Sequence, residues 1–367
     1  MRKPGVWLMT AVLMVLVGCT PEPMPDRKSP DAAVVTALTE YLDGAVQRHE
    51  FRGAVQVRLG AKVLLSSGFD QADTAKELPN GPDTRFRIAS ITKQLTGLAI
   101  LILQEQGKLR VTDLACTHLP VCPDTWQAIT VEQLLTHTAG LFNYTDVDQA
   151  DADRFFAQVG DTPTPDQLIQ VIVDRPLLFP PGSKSEYSNS GYLLLGRIIE
   201  RLSGQTYGQF LKDRILDPLR MADTSYEPDP PQTADDATGY HDWTTPATTL
   251  TDAVFYAAGG IRSTVHDLAR WQQFLLTDTP AVAKPDTVAQ LLRPRTQLNA
   301  VDQYGYGIET RGTGPDTAHF HAGSIPGFAT YHEIHPASEL SIIVLSNLDT
   351  ANATSIGRNL ASLSRGL

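Results

Sequence analysis

The segment Arg85-Phe86-Arg87-Ile88-Ala89-Ser90-Ile91-Thr92-Lys93 leads into an apolar helix that carries two polar groups in its first turn. The segment reads as short extended chain that turns helical at Ser90. The pattern predicts a helix from Ile91 to about Gln106. Leu95, Leu98, Ala99, Ile102 and Leu103 recur at helical spacing, and Gly107 sits where a C-terminal cap belongs. Few polar residues interrupt it before Gln104, so it is expected to be central and buried. Such a helix does not ordinarily carry a hydroxyl and an ammonium at its start. Ser90 and Lys93 are three residues apart and project from one face, with Cβ atoms roughly 5–6 Å apart. That spacing lets the lysine amine reach the serine oxygen.

A serine hydroxyl is a poor nucleophile at neutral pH and needs a base beside it. Lysine serves as that base only where burial or a neighbouring cation lowers its pKa. The helix N-terminus adds partial positive charge, and the backbone N–H of Ser90 is placed to face an oxyanion. The S-x-x-K spacing is common by chance, so its meaning rests on the rest of the chain.

At 367 residues the chain is long enough for a large core or for two lobes around one cleft. Its formal charge is −11. Without Arg2 and Lys3 it is −13, from 28 basic and 41 acidic residues. So acidic a chain, with no basic run interleaved with aromatics, is a poor nucleic-acid binder. Arg2 and Lys3 precede an apolar run from Val6 to Val17, too short to span a bilayer comfortably. Residues 1–18 are therefore read as a signal segment. The ending Leu16-Val17-Gly18-Cys19 resembles the lipobox of bacterial lipoproteins, which implies lipidation of Cys19; the plain alternative is an ordinary signal peptide with a chance cysteine. Thr20 follows, not the aspartate that often retains lipoproteins in the inner membrane. The resemblance thus implies a lipid anchor on the periplasmic face of the cell envelope, at the outer membrane. Residues 19–30 are rich in proline and charge and read as a tether. Cys116 and Cys122, an even pair in an exported chain with five residues between them, are expected to form a local disulfide. Zinc is the alternative, with only His118 nearby as a further ligand.

Asp31 to His49 has helical periodicity, and Gly53–Leu59 with Lys62–Ser67 reads as a hairpin. The middle of the chain is predominantly helical. Thr130-Val131-Glu132-Gln133 has the form of a capping box. Helices are predicted over about Ser190–Leu202, Thr206–Leu216 and from Ser263-Thr264 to Leu275, with Glu227 to Thr251 as a polar surface excursion. Near the end, Tyr306–Arg311, His319–Ala322, Ala329–His335 and Leu340–Ser346 read as successive strands, followed by a helix over Ala351–Ser364. Strands at both ends and helices between predict an α+β fold over residues 31–367. One lobe is made from about 31–90 and 300–367, its antiparallel sheet flanked by helices, and a mostly helical lobe is inserted.

Three segments in this order resemble one family, the serine β-lactamase-like hydrolases. That family includes class C β-lactamases, D-alanyl-D-alanine carboxypeptidases, D-aminopeptidases and related esterases. The segments are Ser90-Ile91-Thr92-Lys93, Tyr187-Ser188-Asn189 and His321-Ala322-Gly323. Leu134-Leu135-Thr136-His137-Thr138-Ala139-Gly140-Leu141, Pro181-Gly182, Gly259-Gly260-Ile261, Tyr304-Gly305-Tyr306-Gly307 and Gly323-Ser324-Ile325-Pro326-Gly327-Phe328 are similar to its supporting segments. The resemblance covers about residues 31–365. It implies Ser90 as nucleophile, Lys93 as the base that helps deprotonate it, and Tyr187 as the second base. A tyrosine titrates near 10, so Lys93 or His321 would have to favour its phenolate or a proton shuttle. Asn189 would hold Lys93 or a substrate amide, or simply cap a helix. The oxyanion donors would be the N–H groups of Ser90 and Ser324. Gly323 would leave room for substrate along its strand. The family's usual lysine in the third segment, a permanent cation for a substrate carboxylate, is His321 here, and histidine is mostly neutral at pH 7. Neither a metal nor a cofactor is implied.

His332-Glu333-Ile334-His335 lacks the four-residue spacing of a zinc-protease helix and is read as surface. His319, on the same strand face as His321, is read as structural. The resulting expectation is a serine hydrolase acting through an acyl-enzyme on an ester, an amide, a β-lactam or a D-amino-acid peptide. The competing expectation is a lipoprotein that binds peptidoglycan or penicillin without appreciable turnover.

Overall fold

The computed structural model describes residues 30–248, 250–277 and 281–365. The expected signal segment, Cys19 and the expected tether up to residue 29 lie outside the described residues. The first helix is α1 (Pro30–Gln47), followed by strands β1 (Gly53–Leu59) and β2 (Lys62–Phe69). The C-terminal part supplies β3 (Thr296–Gln297), β4 (Asp302–Tyr304), β5 (Glu309–Arg311), β6 (Ala318–Ile325), β7 (Phe328–His335) and β8 (Leu340–Ser346). Together they form one antiparallel eight-stranded sheet in the order β2-β1-β8-β7-β6-β5-β4-β3. The first and last parts of the chain meet where β1 pairs β8, with Val55 opposite Val344.

The run Leu340-Ser341-Ile342-Ile343-Val344-Leu345-Ser346 does not alternate polar with apolar because both faces of β8 are covered. Its side chains are sorted by the period of two. Ile342 and Val344 join a core with Leu38 and Leu42 of α1 and Leu360 of the C-terminal helix Ala353–Ser364. Ile343 and Leu345 face the other way, into the core that holds the Ser90 helix. The fold is α+β, as the alternation of segments predicts.

Helix α2 (Thr92–Glu105) is buried from Thr92 to Leu103 and follows a tight 3-10 turn over Ala89–Ile91. It fits against the loop Tyr304–Gly307 because two glycines allow contact. A Cβ on Gly97 would lie 2.1 Å from the Tyr306 carbonyl oxygen, and one on Gly307, at φ 91°, would lie 2.3 Å from the Lys93 carbonyl oxygen. The helical part contributes α3 (Gln149–Val159), α4 (Pro165–Val173), α5 (Asn189–Ser203), α6 (Asp252–Gly259) and α7 (Val265–Leu276). The capping box at Thr130 is present: its side chain accepts from Gln133 N, and Gln133 reaches back to Thr130 N. Cys116 and Cys122 are joined in a disulfide, with Cα atoms 5.3 Å apart.

Three expectations are corrected. His332-Glu333-Ile334-His335 is not surface: it ends β7 in the middle of the sheet, where every residue of the strand is buried. Charge and an isolated proline after it suggested exposure, but neighbouring strands cover both of its edges. Residues 227–251 are not wholly a surface excursion, since Tyr240 is buried, accepts a 3.0 Å backbone bond from Asp349 N and donates one to the Asn347 carbonyl. The helix after Thr206 is α-helical only over Tyr207–Leu211 and then widens into a π turn over Lys212–Leu216.

Candidate active site

Ser90 sits on the 3-10 turn that launches α2, and Lys93 follows one helical turn later with no exposed surface. Ala89, just before the serine, is held at φ 49°, a strained value for a non-glycine residue. Lys93 Nζ lies 3.0 Å from Ser90 Oγ, 2.7 Å from Asn189 Oδ1 and 2.7 Å from the Ala258 carbonyl oxygen. Burial pushes its pKa far below the usual lysine range. The neighbours fit a neutral amine. Asn189 Oδ1 and the Ala258 carbonyl only accept, so in the neutral form they take its two N–H groups and leave the lone pair for the Ser90 hydroxyl.

Tyr187 reaches the same oxygen from the other side, its phenol donating to Ser90 Oγ at 2.7 Å. Of the two expectations for the tyrosine, a phenolate or a proton shuttle, the buried phenol fits the shuttle. Burial pushes its pKa up, and the bond to Ser90 only partly offsets this, so the resting group is a phenol. Asn189 opens α5 but is not its cap; that role falls to Ser188, whose side chain accepts from Ser190 N. The Asn189 amide is held in one orientation: Nδ2 donates to Thr145 Oγ1 at 2.9 Å, which turns Oδ1 toward Lys93.

The third segment is placed differently from the expectation. His321 is only 1% exposed and lies behind the cleft, not among the groups that line it. Its Nδ1–H donates to the Ala322 carbonyl at 2.6 Å, and Nε2 accepts from the Tyr304 hydroxyl at 3.1 Å. Burial is the main cause that pushes its pKa down to about 3. The ring is therefore neutral, with both nitrogens satisfied. Gly323 is also not an opening for substrate. A Cβ there would lie 2.7 Å from the Ile88 carbonyl oxygen and 2.9 Å from Ala89 Cβ. Glycine lets β6 press against the turn that holds Ser90. Ser324, one residue on, is exposed and lines the cleft with Ser90 and Asn189. His319 is buried and bonded to Thr310 Oγ1 at 3.0 Å, a structural role.

His137 was quoted in the sequence without a role, and the structure gives it one. It is buried at φ 58°, with its ring centroid 4.4 Å from that of Tyr187 and 4.5 Å from that of Tyr304. Its Nδ1 accepts from Ser188 N at 3.2 Å. Burial, the largest cause, lowers its pKa well below the usual range. The neutral ring thus fixes both the Tyr187 ring and the backbone that follows it. Only the Thr-His-Thr setting marked it in sequence, and nothing there tied it to Tyr187.

These groups stand at one end of a cleft of about 740 Å³ between the sheet and helices α3, α4 and α6. Compared with known proteins, residues 38–365 match the family model described as Beta-lactamase. Protein flp of Staphylococcus aureus (strain MW2) is 28% identical over 327 residues, which cover 85% of this chain and 63% of that protein. The chain thus spans less than two thirds of the staphylococcal relative. Penicillin-binding protein 4* of Bacillus subtilis (strain 168) is 28% identical over 320 residues, covering 82% of this chain and 69% of the relative. Among solved structures, a D-stereospecific amidohydrolase from a Streptomyces species superposes with a TM-score of 0.74 at 26% identity, covering 88% of this chain and 97% of that one. With nearly the whole described chain matched in sequence and in fold, the protein belongs to the β-lactamase family.

Proposed function

We propose that this protein is a serine hydrolase that cleaves an ester or amide through an acyl-enzyme on Ser90. The observation that carries the proposal is the position of Ser90 Oγ, 3.0 Å from a buried lysine amine and 2.7 Å from a buried phenol, at the wall of an open cleft. Lys93 takes the serine proton as Oγ attacks the carbonyl carbon. Tyr187 gives its proton to the departing oxygen or nitrogen, and the proton held by Lys93 restores the phenol. Water then attacks the acyl carbon, its proton passes to the same pair, and Ser90 leaves with a hydrogen restored. General acid–base help of this kind contributes about 10²–10⁴-fold.

The register of β6 supports Ser324 N–H as the second oxyanion donor beside that of Ser90. Ile325 and Phe328 close a two-residue hairpin and form a bonded pair, so by alternation Ser324 and Ala329 form a non-bonded pair. The Ser324 N–H therefore turns away from β7. On its other side β5 pairs only with Ala318–Phe320, which leaves that N–H directed toward the cleft.

A second reading has one observation in its favour, the penicillin-binding relative: Ser90 would be acylated by penicillin and released slowly. At the other end of the chain, the segment before residue 30 is proposed to anchor the protein to a membrane through Cys19, on the periplasmic side. The test of the hydrolase reading is turnover of a chromogenic short-chain ester, with intact mass followed alongside in a parallel reaction with benzylpenicillin. Multiple turnovers that vanish in Ser90→Ala are expected. Undiminished turnover in that variant overturns the proposal, and a single stable penicilloyl adduct on Ser90 without ester turnover favours the second reading.

A further inference from the structure

The cleft beyond Ser90 has a chemistry of its own. Away from the catalytic groups it carries an apolar strip, Phe155 of α3, Val171 of α4, Leu250, Phe255 of α6, and Ile325 with Pro326 at the β6 hairpin, beside polar residues of α3 and α4. Helix α3 contributes two adjacent phenylalanines, Phe155 and Phe156, in edge-to-face contact with centroids 5.4 Å apart. Yet none of its residues is fully buried. A helix that brings aromatic rings to a cleft and leaves them half-covered presents surface for a ligand's apolar group.

The charges in the same cleft cancel. Among the described residues lining it, Arg154 and Arg175 are the cations, and Asp151 and Asp174 the anions. Asp151 holds both arginines, Arg154 through one carboxylate oxygen and Arg175 through the other at 3.2 Å. Among the described residues lining the cleft no other side chain is cationic. The position on β6 that could have supplied one is His321, sealed behind Tyr304 with both ring nitrogens bonded.

We infer that the substrates are esters or amides of uncharged, bulky apolar acids, whose acyl chain or aryl group lies along Phe155 and Phe255, and that carboxylate-bearing penicillins and D-alanyl peptides are used poorly. This inference rests on the acyl-enzyme reading of Ser90. Each methylene withdrawn from water against those walls adds about 0.8 kcal/mol, or roughly fourfold, where it is realised in the transition state. A carboxylate carried beside Ser90 would lose its water without gaining a charged partner.

The test measures kcat/KM of the full chain for the p-nitrophenyl esters of acetate, butanoate, hexanoate, octanoate and phenylacetate. Benzylpenicillin and an acylated D-alanyl-D-alanine peptide are run beside them. Expected is a rise on the order of a hundredfold from acetate to hexanoate, with penicillin and the peptide below the hexanoate ester. Phe155→Ala and Phe255→Ala should each lower the hexanoate-to-acetate ratio about tenfold, and Phe155→Leu should restore most of it. That ratio does not depend on how much of a variant is correctly folded. A flat or falling series that still vanishes in Ser90→Ala overturns the inference and leaves the hydrolase reading standing. Ester turnover that persists in Ser90→Ala overturns both. Preferred use of the penicillin or the peptide overturns the inference alone.

Discussion

Replacing Asn189 by aspartate changes one atom and tests the protonation state on which the mechanism turns. The new carboxylate would stand where Oδ1 now lies, 2.7 Å from Lys93 Nζ. At an effective dielectric of about 20, a unit charge pair at that distance interacts by about 6 kcal/mol in favour of the ammonium. Burial alone depresses the lysine, and no partner charge opposes it. The aspartate therefore raises the lysine pKa and removes the lone pair that faces Ser90. The sign follows directly: activity needs the neutral amine, is present above its pKa and is lost below it, so the acidic limb of the rate profile moves to higher pH. The expected loss in kcat/KM at pH 7 is about 10²–10⁴-fold, the size of general-base assistance, with recovery as pH rises. The assay is ester hydrolysis from pH 5 to 10, with Asn189→Leu as the control that removes the acceptor without adding charge. Asn189→Leu should lose rate without moving the limb. An Asn189→Asp enzyme with an unshifted limb and near-native rate at pH 7 would show that Lys93 is not the base.

Three further outcomes are expected. Gly323→Ala forces a methyl against the Ile88 carbonyl and Ala89, so it should destabilise the fold by about 1–3 kcal/mol and lower kcat by displacing the Ser90 turn; an unchanged melting temperature and rate would contradict that packing. Replacing Cys116 and Cys122 by serine opens a short loop away from the cleft and should cost about 2 kcal/mol by the chain-entropy relation, read by thermal unfolding, while ester kinetics stay as they were. Cys19→Ser should abolish incorporation of labelled lipid and shift the protein to the aqueous phase in detergent partitioning, and unchanged partitioning speaks against the anchor.

The reach of the sequence differs from residue to residue. Ser90 and Lys93 were legible because one helix carries both, and helical spacing alone puts them on one face. Tyr187 was legible through its motif, but its protonation was not. That depends on burial against His137 and, at 6.4 Å between ring centroids, His321, which come from two separate stretches of chain. The role of Gly323 was misread because a glycine's purpose depends on what approaches it, and here that is a turn more than 200 residues away in sequence. The buried β7 was misread at its end for a similar reason, since its charged and histidine residues are covered by strands on both sides.

Taken alone, the sequence determined what is local. Periodicity set the strands at both ends of the chain and the helices between, turn chemistry set the caps, and spacing within one helical turn set the Ser90 hydroxyl beside the Lys93 amine. The tertiary structure decided everything that needs two distant segments at once. It depressed the Lys93 pKa, through complete burial, and set the amine between two acceptors on α5 and α6. It withdrew His321 from the cleft behind Tyr304, and it lined that cleft with half-covered aromatic rings and with two arginines that share Asp151. Desolvation and contact are properties of assembled surfaces, and no window of sequence contains them.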